Sequence, residues 1–284
     1  VNPLRLIIQT QPLPVVVEHH SQSKVKLASW NVNSIRSRIF NVLEWIEIEK
    51  PDILCLQETK VIDQDFPISP FEDIGYNVVA HGQKSYNGVA TLSKFTIEDS
   101  IKGLPNYNDN QARYLETTHV VSSKMIRVAN IYLPNGNPTP GAKYDYKIEW
   151  MKTLKNHLSK TLRNEEIFIV VGDYNVIPEE IDVYAPEKWL DDALFKIETR
   201  KEFRKILALG FTDSFRSLNP EEQQYTFWDY QRGAWQRNNG IRIDHILSSP
   251  EADDIISEVY ISKDTREKEK PSDHVPIVSI MNVD

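Results

Sequence analysis

The chain has 284 residues, of which 40% are hydrophobic, and its formal net charge is −8. This length can bury a large core in one sheet-based domain, and the negative charge argues against a general nucleic-acid coat protein, whose affinity comes mainly from lysines and arginines. A single cysteine, Cys55, excludes an intrachain disulfide, and no apolar run is long enough to cross a bilayer, so we expect a cytoplasmic protein.

The first 23 residues show neither hydrophobic periodicity nor an initiating methionine, so we expect a flexible extension at 1–23. A single domain is expected over 24–284. Alternating apolar residues predict a strand over 24–30, and helical spacing between a cap at Ser34 and a stop at Pro51 predicts a helix. Short apolar runs bounded by glycines predict three strands, at 53–56, 77–80 and 89–93.

The second half of the chain continues the mixture of strands and helices. A strand over 125–133 precedes a helix over 144–162, and the apolar run at 167–171 is typical of a strand covered on both faces. A third helix is predicted over 199–209, with Gly210 as its left-handed cap. Further strands are expected at 225–228, 241–247 and 275–281, which together indicate an α/β protein.

Four of the predicted strands border a polar motif. Strand ends in open sheets point side chains at ligands, so we expect these motifs to form one site. The first and third motifs are alike, which is compatible with two similar halves that face each other. The motifs are Trp30-Asn31-Val32-Asn33, Leu56-Gln57-Glu58-Thr59-Lys60, Gly172-Asp173-Tyr174-Asn175 and Lys270-Pro271-Ser272-Asp273-His274.

The acids, amides and imidazole of these motifs suit hydrolysis of a phosphate diester, which needs a Lewis acid, an aligned water and support for charge on the leaving oxygen. Glu58 is a candidate Mg²⁺ ligand, although a lone glutamate at a strand end is more often a solvated residue or a cap. Asp173 and Asn175 are expected to point the same way and to act on water and phosphate, unless their motif is a simple turn. Asp244 can fix the tautomer of His274, whose own motif also suits a plain turn.

Local basic residues can steer a polyanion to such a site despite the negative net charge. For each of them the ordinary alternative is a solvated surface charge. Arg113 in particular is expected to bind substrate. The full set of candidates is Arg36, Arg38, Lys60, Arg113, Lys143, Lys147, Arg232, Arg237 and Arg242.

Taken together, the motifs resemble those of the exonuclease III family of apurinic/apyrimidinic endonucleases, within the endonuclease/exonuclease/phosphatase superfamily. The resemblance covers residues 24–284. It implies a four-layer α/β sandwich, in which two mixed β-sheets pack face to face with helices on the outside. Besides the four motifs above, it includes His81-Gly82-Gln83-Lys84, Gly88-Val89-Ala90, Tyr132-Leu133-Pro134-Asn135-Gly136 and Arg242-Ile243-Asp244.

The resemblance also implies roles for individual residues. Glu58 is the main Mg²⁺ ligand, with Mn²⁺ able to substitute, and Asn33 and Asp273 lie near the metal. Asn33 stands where some relatives have aspartate, which puts a second metal position in doubt. Asp173 positions or activates water, and Asp244 pairs with His274. The groups that support the phosphate are His274, Asn31, Tyr132 and Asn175, and Asn135 matches a further polar position of the active site.

A DNA-facing surface is implied as well. Phe227, Trp228, Ile241 and Ile243 resemble an apolar pocket that receives a base-free deoxyribose turned out of the helix, and the alternative is that they are ordinary core residues. The segment 229–239 is rich in Arg, Gln, Asn and aromatic residues, and it is predicted to be a surface loop against the DNA backbone.

The expected function is therefore DNA repair by a monomer in the cytoplasm, associated with the nucleoid. Its partner would be double-stranded DNA with abasic sites or 3′ ends, cut 5′ to the abasic site and also trimmed by 3′-to-5′ exonuclease and 3′-end phosphodiesterase or phosphatase activity. One alternative is a phosphoesterase of the same superfamily that acts on a lipid, an inositol phosphate or a small nucleotide. The other is a noncatalytic DNA-binding or scaffold protein, which would have no need of the acids and the imidazole.

Overall fold

The computed structural model describes residues 23–284. The expectation of a flexible extension at 1–23 therefore lies outside the described residues, except for Ser23, which opens the first strand. Within the described part of the chain, no helix is both long and apolar enough to span a membrane.

Over residues 23–284, fourteen strands form two mixed sheets and one short ribbon. In chain order they are Ser23–Asn31 (β1), Ile53–Gln57 (β2), Asn77–His81 (β3), Val89–Ser93 (β4), Thr96–Lys102 (β5), Tyr114–Val121 (β6), Lys124–Tyr132 (β7), Ile167–Asp173 (β8), Thr212–Asp213 (β9), Phe227–Trp228 (β10), Gly240–Ile241 (β11), Asp244–Ser248 (β12), Ile256–Ile261 (β13) and Ile277–Val283 (β14). The first sheet has the order β13-β14-β1-β2-β4-β3, the second β5-β6-β7-β8-β12-β9, and the ribbon joins β10 to β11. Each large sheet holds one parallel pair, β1 with β2 and β7 with β8.

Most helices cover the outer faces of the sheets, whereas Phe215 and Ala252, in two short helices, belong to the core between the sheets. The helices are Ile35–Glu49 (α1), Ile68–Glu72 (α2), Ala142–Leu162 (α3), Ile197–Ala208 (α4), Ser214–Leu218 (α5) and Pro250–Asp253 (α6), with short 3-10 helices at Asp63–Asp65, Glu180–Asp182, Pro186–Lys188 and Lys263–Glu267. Val42 and Trp45 of α1 pack on Trp30 of the first sheet, whereas Met151 of α3 and Phe203 of α4 belong to the core on the second sheet.

Between the two sheets lies a third apolar core. Alternate residues of each strand face it, so that Val25 and Leu27 of β1 meet side chains such as Val128 of β7 and Val171 of β8. The strands are thus covered on both faces, in the order helix, sheet, sheet, helix. The predicted four-layer α/β sandwich is confirmed.

The two sheets repeat one topological unit. In each, a parallel pair joined by a helix, β1-α1-β2 or β7-α3-β8, lies between two antiparallel neighbours. The equivalent strand ends are therefore those of β2 and β8, which carry Glu58 and Asp173. The sequence likeness between the motifs at Asn31 and Asp173 instead pairs the end of β1 with the end of β8, which are not equivalent in the topology.

Four strands were not predicted, and one predicted strand is interrupted. β5, β6 and β13 lack a clear apolar pattern, and β9 has only two residues. The predicted strand at 241–247 divides into β11 and β12, because Arg242 turns into the interior to bind Asp182 and Asp213. Ile243 and Asp244 then donate their backbone N–H groups to the Thr226 hydroxyl instead of to a neighbouring strand.

Lowering the pH from 7 to 5 is expected to reduce the free energy of unfolding, partly through His119. This imidazole is buried between the hydroxyls of Ser93 and Thr117, 2.8 Å and 2.7 Å away, and burial lowers its pKa from 6.5 to about 4. Between these two values the unfolded chain binds a proton that the folded chain does not, so stability falls by about 1.4 kcal/mol per pH unit on acidification. Urea unfolding at both pH values measures the loss, and His119→Gln should show a weaker pH dependence. Equal slopes would contradict the assignment.

Candidate active site

A buried amide bridges two carboxylates where strands of the two sheets end. Asn31 closes β1, Asp173 closes β8, and Glu58 directly follows β2. The Nδ2 atom of Asn31 lies 3.0 Å from Glu58 Oε1 and 3.0 Å from Asp173 Oδ2, so it donates to both. Asn31 Oδ1 in turn accepts from the backbone N–H of Asn33. The predicted convergence of the first three motifs is therefore present in the structure.

The fourth motif brings an imidazole to the same place. His274 Nδ1 lies 2.8 Å from Asp244 Oδ2, and its Nε2 lies 3.5 Å from Asp173 Oδ2. Asp244 reaches this position because β12 pairs with β8 in a register that sets it opposite Asp173. The imidazole thus lies between two carboxylates, with one nitrogen directed at each.

The segment after Asp173 is a turn and does not continue the strand. Asn175 has a φ of 47°, and its backbone N–H donates to Asp173 Oδ1 at 2.9 Å. Its Nδ2 donates to the backbone oxygen of Leu133 at 2.8 Å. The expectation that Asp173 and Asn175 point the same way along an extended strand is therefore wrong, because the turn folds Asn175 back to hold the carboxylate.

Burial and the neighbouring charges shift the pKa values of the site residues. Burial lowers the pKa of His274, but the carboxylates of Asp244 and Asp173 outweigh this and raise it well above its ordinary value. Burial also raises the pKa of Asp173. For Glu58, burial is outweighed by the Asn31 hydrogen bond and by the positive charges of His274 and Lys60, so its pKa lies below the usual range. At neutral pH the imidazole is therefore protonated and Glu58 is ionised.

The carboxylate oxygens of the site suit a hard cation. One oxygen each of Glu58 and Asp173 and one ring nitrogen of His274 lie within 4.8 Å of one another, but the protonated imidazole has no lone pair for a metal. Asp273 lies near Glu58, and burial together with the Glu58 carboxylate raises the pKa of Asp273. Carboxylate oxygens in this arrangement fit Mg²⁺ or Mn²⁺.

Asn33 is less free to bind a metal than was expected. Its Oδ1 accepts from Lys60 Nζ at 2.6 Å, and its Nδ2 donates to the Tyr230 hydroxyl at 3.2 Å. The same Lys60 ammonium lies 3.3 Å from Glu58 Oε2. A metal at Asn33 would have to displace this lysine, so the Lys60 side chain already supplies a positive charge at that side of Glu58.

Tyr132, Arg113 and Asn135 border the site. Tyr132 ends β7 beside Glu58 and Asp173, and burial and these two acids raise the pKa of its phenol. The Arg113 guanidinium lies 4.9 Å from the centre of the Tyr132 ring and donates to the Tyr132 backbone oxygen at 3.1 Å. Asn135 is exposed at the rim, where its Oδ1 accepts from the N–H of Asn137.

The predicted apolar pocket is only partly open. The Phe227 ring is half-buried, and its centre lies 5.0 Å from that of His274. Trp228 is 2% exposed and donates from Nε1 to Asn238, and Ile241 and Ile243 are equally buried. Phe227 therefore faces the site, whereas the other three are core residues in this structure.

Some of the basic candidates are exposed and others are buried. Most of the loop at 229–239 is exposed, as predicted, and Arg232 and Arg237 lie in it. Lys147 and Arg242 are wholly buried, so the expectation that they steer a polyanion from the surface is wrong. Each is held by internal partners: carbonyl oxygens for Lys147 and carboxylates for Arg242.

Three residues that position the site had been assigned no role. The Ser272 hydroxyl donates to the Asn31 backbone oxygen at 2.6 Å and accepts from the His274 N–H, while Trp30 Nε1 donates to the His274 backbone oxygen. Tyr230 donates from its hydroxyl to Pro271. Ser272 and Trp30 lie within the motifs, but no local pattern signals contacts between residues so distant in the chain.

Known proteins are similar to this chain over most of its length. The signature of the Endonuclease/Exonuclease/phosphatase family matches residues 28–274. Exodeoxyribonuclease III of Haemophilus influenzae is 34% identical over 262 residues, which cover 89% of this chain and 98% of the relative. A solved AP endonuclease from Archaeoglobus fulgidus is 41% identical, with a TM-score of 0.87 over 91% of this chain and 100% of that one. A 3′ phosphatase from Neisseria, bound to a product DNA hairpin, is 36% identical, with a TM-score of 0.87 over 90% and 99%.

Proposed function

This chain belongs to the Endonuclease/Exonuclease/phosphatase family, in the branch of exodeoxyribonuclease III and the AP endonucleases, and from this we propose a magnesium-dependent phosphodiesterase of DNA repair. It cuts the backbone 5′ to abasic sites and also acts on 3′ ends. The observation that carries the proposal is the approach of Glu58, Asp173 and His274 to within 4.8 Å of one another. A noncatalytic scaffold would have no need to bury these groups together, since buried charges cost stability.

Asp173 is the group that orients the attacking water and accepts its proton. Its Oδ1 is held by the Asn175 N–H and its Oδ2 by Asn31, so the carboxylate cannot rotate freely. The raised pKa of this buried carboxyl brings it closer to neutral, where a general base works best. Fixing the carboxylate in advance lowers the entropic cost of aligning water with the phosphorus.

His274 supports the negative charge on the phosphate. Asp244 fixes its Nδ1, so that Nε2 is the nitrogen left for a phosphate oxygen. Because both flanking acids keep the imidazole protonated, it donates a charge-assisted hydrogen bond. Tyr132 adds its phenol near the same oxygens, and Asn135 and Arg113 bind the substrate at the rim. Asn31 and Asn175 contact the phosphate only if their amide groups leave Glu58, Asp173 and Leu133, and until then they hold the carboxylates in place.

Glu58 and Asp273 would hold the magnesium ion, with Asn33 as a further ligand if Lys60 moves aside. When bound, the ion supplies a Lewis acid that polarises the phosphate and neutralises the leaving oxygen. Manganese can replace it, since the donors are carboxylate and amide oxygens. The buried acids would be relieved of their mutual repulsion by this charge.

The substrate is double-stranded DNA, and residues around the catalytic groups bind it. Phe227 faces the extruded deoxyribose, with Trp228 and Ile243 behind it as its apolar support, and the loop at 229–239 contacts the backbone. Extrusion is easiest where no base is stacked or paired. We further propose that residues 24–284 act as one catalytic domain, as a monomer, in the cytoplasm and near the nucleoid.

A side-by-side assay tests the function. Purified protein is incubated with duplexes that carry an abasic-site analogue, a blocked 3′ end or no damage, each with Mg²⁺ and with chelator. We expect nicking 5′ to the abasic site and 3′-end processing, both lost with chelator. Absence of DNA cleavage together with hydrolysis of a lipid phosphate, an inositol phosphate or a small nucleotide would assign the chain to another substrate class.

A further inference from the structure

Helix α3 buries a lysine beneath the site. Lys147 lies in the second turn of the helix and is 0% exposed. Burying an ammonium group lowers the stability of the fold strongly unless hydrogen-bond acceptors compensate for the lost water, and the net stability of a domain is small. Burial lowers the pKa of Lys147 to about 7, against the opposing influence of Asp173 and Asp192. A leucine or methionine would fill the same space without this cost, so the amine must be explained by what it binds.

The amine joins two separate loops of the active site. Lys147 Nζ donates to the backbone oxygen of Asn135 at 3.0 Å and to that of Asn175 at 2.6 Å. The first loop follows β7, which ends in Tyr132, and the second follows β8, which ends in Asp173. One ammonium group therefore fixes the spacing between the two loops.

The loop that holds Asn175 passes this restraint directly to Asp173. Asn175 adopts a left-handed φ of 47°, and its N–H holds Asp173 Oδ1. If the backbone oxygen of Asn175 shifted, the backbone N–H of Asn175 would rotate with it. The Asp173 carboxylate, which accepts from this N–H, would then move as well. The other loop is equally tight: a Cβ on Gly136 would lie 2.6 Å from the Lys147 Cδ atom.

We propose that Lys147 is a positioning residue for Asp173, which acts by locking the turn at Asn175 to the loop at Asn135. The inference rests on the proposed nuclease function, because it concerns the rate of that reaction. Lys147 itself touches neither substrate nor metal. Its loss should therefore change the rate of the chemical step and leave DNA binding nearly unchanged.

The test compares Lys147→Met with Lys152→Met, an exposed lysine on the same helix, in cleavage of a duplex with one abasic-site analogue. Methionine fills the buried volume but cannot donate. We expect kcat to fall about 10- to 100-fold for Lys147→Met, since small misplacements of a catalytic group have effects of this size. KM should change less than about threefold, and Lys152→Met should match the wild type.

A double-substitution cycle with Asn175→Ala separates positioning from general loss of stability. Asn175→Ala keeps the backbone groups but loosens the turn itself, because alanine loses the bond to Leu133 and tolerates a φ of 47° poorly. If Lys147 acts by locking this turn, Lys147→Met should cost clearly less kcat in the Asn175→Ala background than in the wild type. Equal costs in both backgrounds, or full kcat in Lys147→Met, would overturn the proposal. If Lys147→Met does not fold, as judged by circular dichroism, the same cycle is run with Lys147→Gln. A wild type without DNA cleavage would instead refute the proposed function.

Discussion

Asp173→Asn is expected to slow single-turnover cleavage of an abasic duplex by about 10³- to 10⁴-fold, near the upper limit for the loss of a general base. The amide has the same shape but keeps only one accepting oxygen, so it loses the bond from either Asn31 or Asn175, and it cannot accept the proton of the attacking water. Binding of the duplex should be retained, because the substitution removes a negative charge that faces the phosphates. Quenched-flow cleavage and a mobility-shift assay measure the two quantities.

Asp99→Asn is the matched control for this prediction, since Asp99 is an exposed acid on the edge strand β5. It should cleave like the wild type. His274→Ala should lose activity to an extent comparable with Asp173→Asn, because the same phosphate then lacks its charged donor. Cleavage by Asp173→Asn within a few fold of the wild type would remove this residue from the role of activating water.

Glu58→Gln is expected to weaken Mg²⁺ binding by at least about 100-fold and to reduce cleavage in parallel at ordinary metal concentrations. Glutamine can still accept from Asn31 but has no charge with which to hold the cation. Calorimetric titration with Mg²⁺ gives the affinity independently of activity, and cleavage should recover in part as the metal concentration rises.

Glu47→Gln, an exposed acid of α1, controls for the general effect of removing a negative charge. Its metal affinity and cleavage should equal those of the wild type. Unchanged Mg²⁺ affinity in Glu58→Gln would show that other carboxylates hold the ion. Asp273 would then be the next residue to substitute.

Apolar periodicity predicted most of the fold because most elements bury one apolar face or both. The predictions for α1, α3 and α4 are correct to within a few residues. β6 was not predicted, because its interior positions are polar: Glu116 is buried against Arg127 and His157, and His119 lies between hydroxyls. Buried ion pairs satisfy each other only in three dimensions, so they leave no hydrophobic pattern in the sequence.

The site was predictable where its chemistry lies in short motifs, and much less so where it depends on distant contacts. The acids and the imidazole that meet in the structure were all identified from the sequence. The positions of Lys60 between Asn33 and Glu58, and of Lys147 below two loops, were not. A lysine in sequence is usually a surface charge, and only its neighbours in the folded chain show otherwise.

The pairing of β1 with β14 has a consequence for how the enzyme is made. Ser23 lies opposite Val283, so β1 finds this partner only after the twelve strands between them have been synthesised. His274 arrives with that late segment, long after Asn31 and Glu58. Pairing between strands so distant in the chain slows folding, because the entropy of closing a long loop is lost before the stabilising contacts form. With His274 in its proposed role, we expect a growing polypeptide on the ribosome to cleave no DNA until translation has passed this residue.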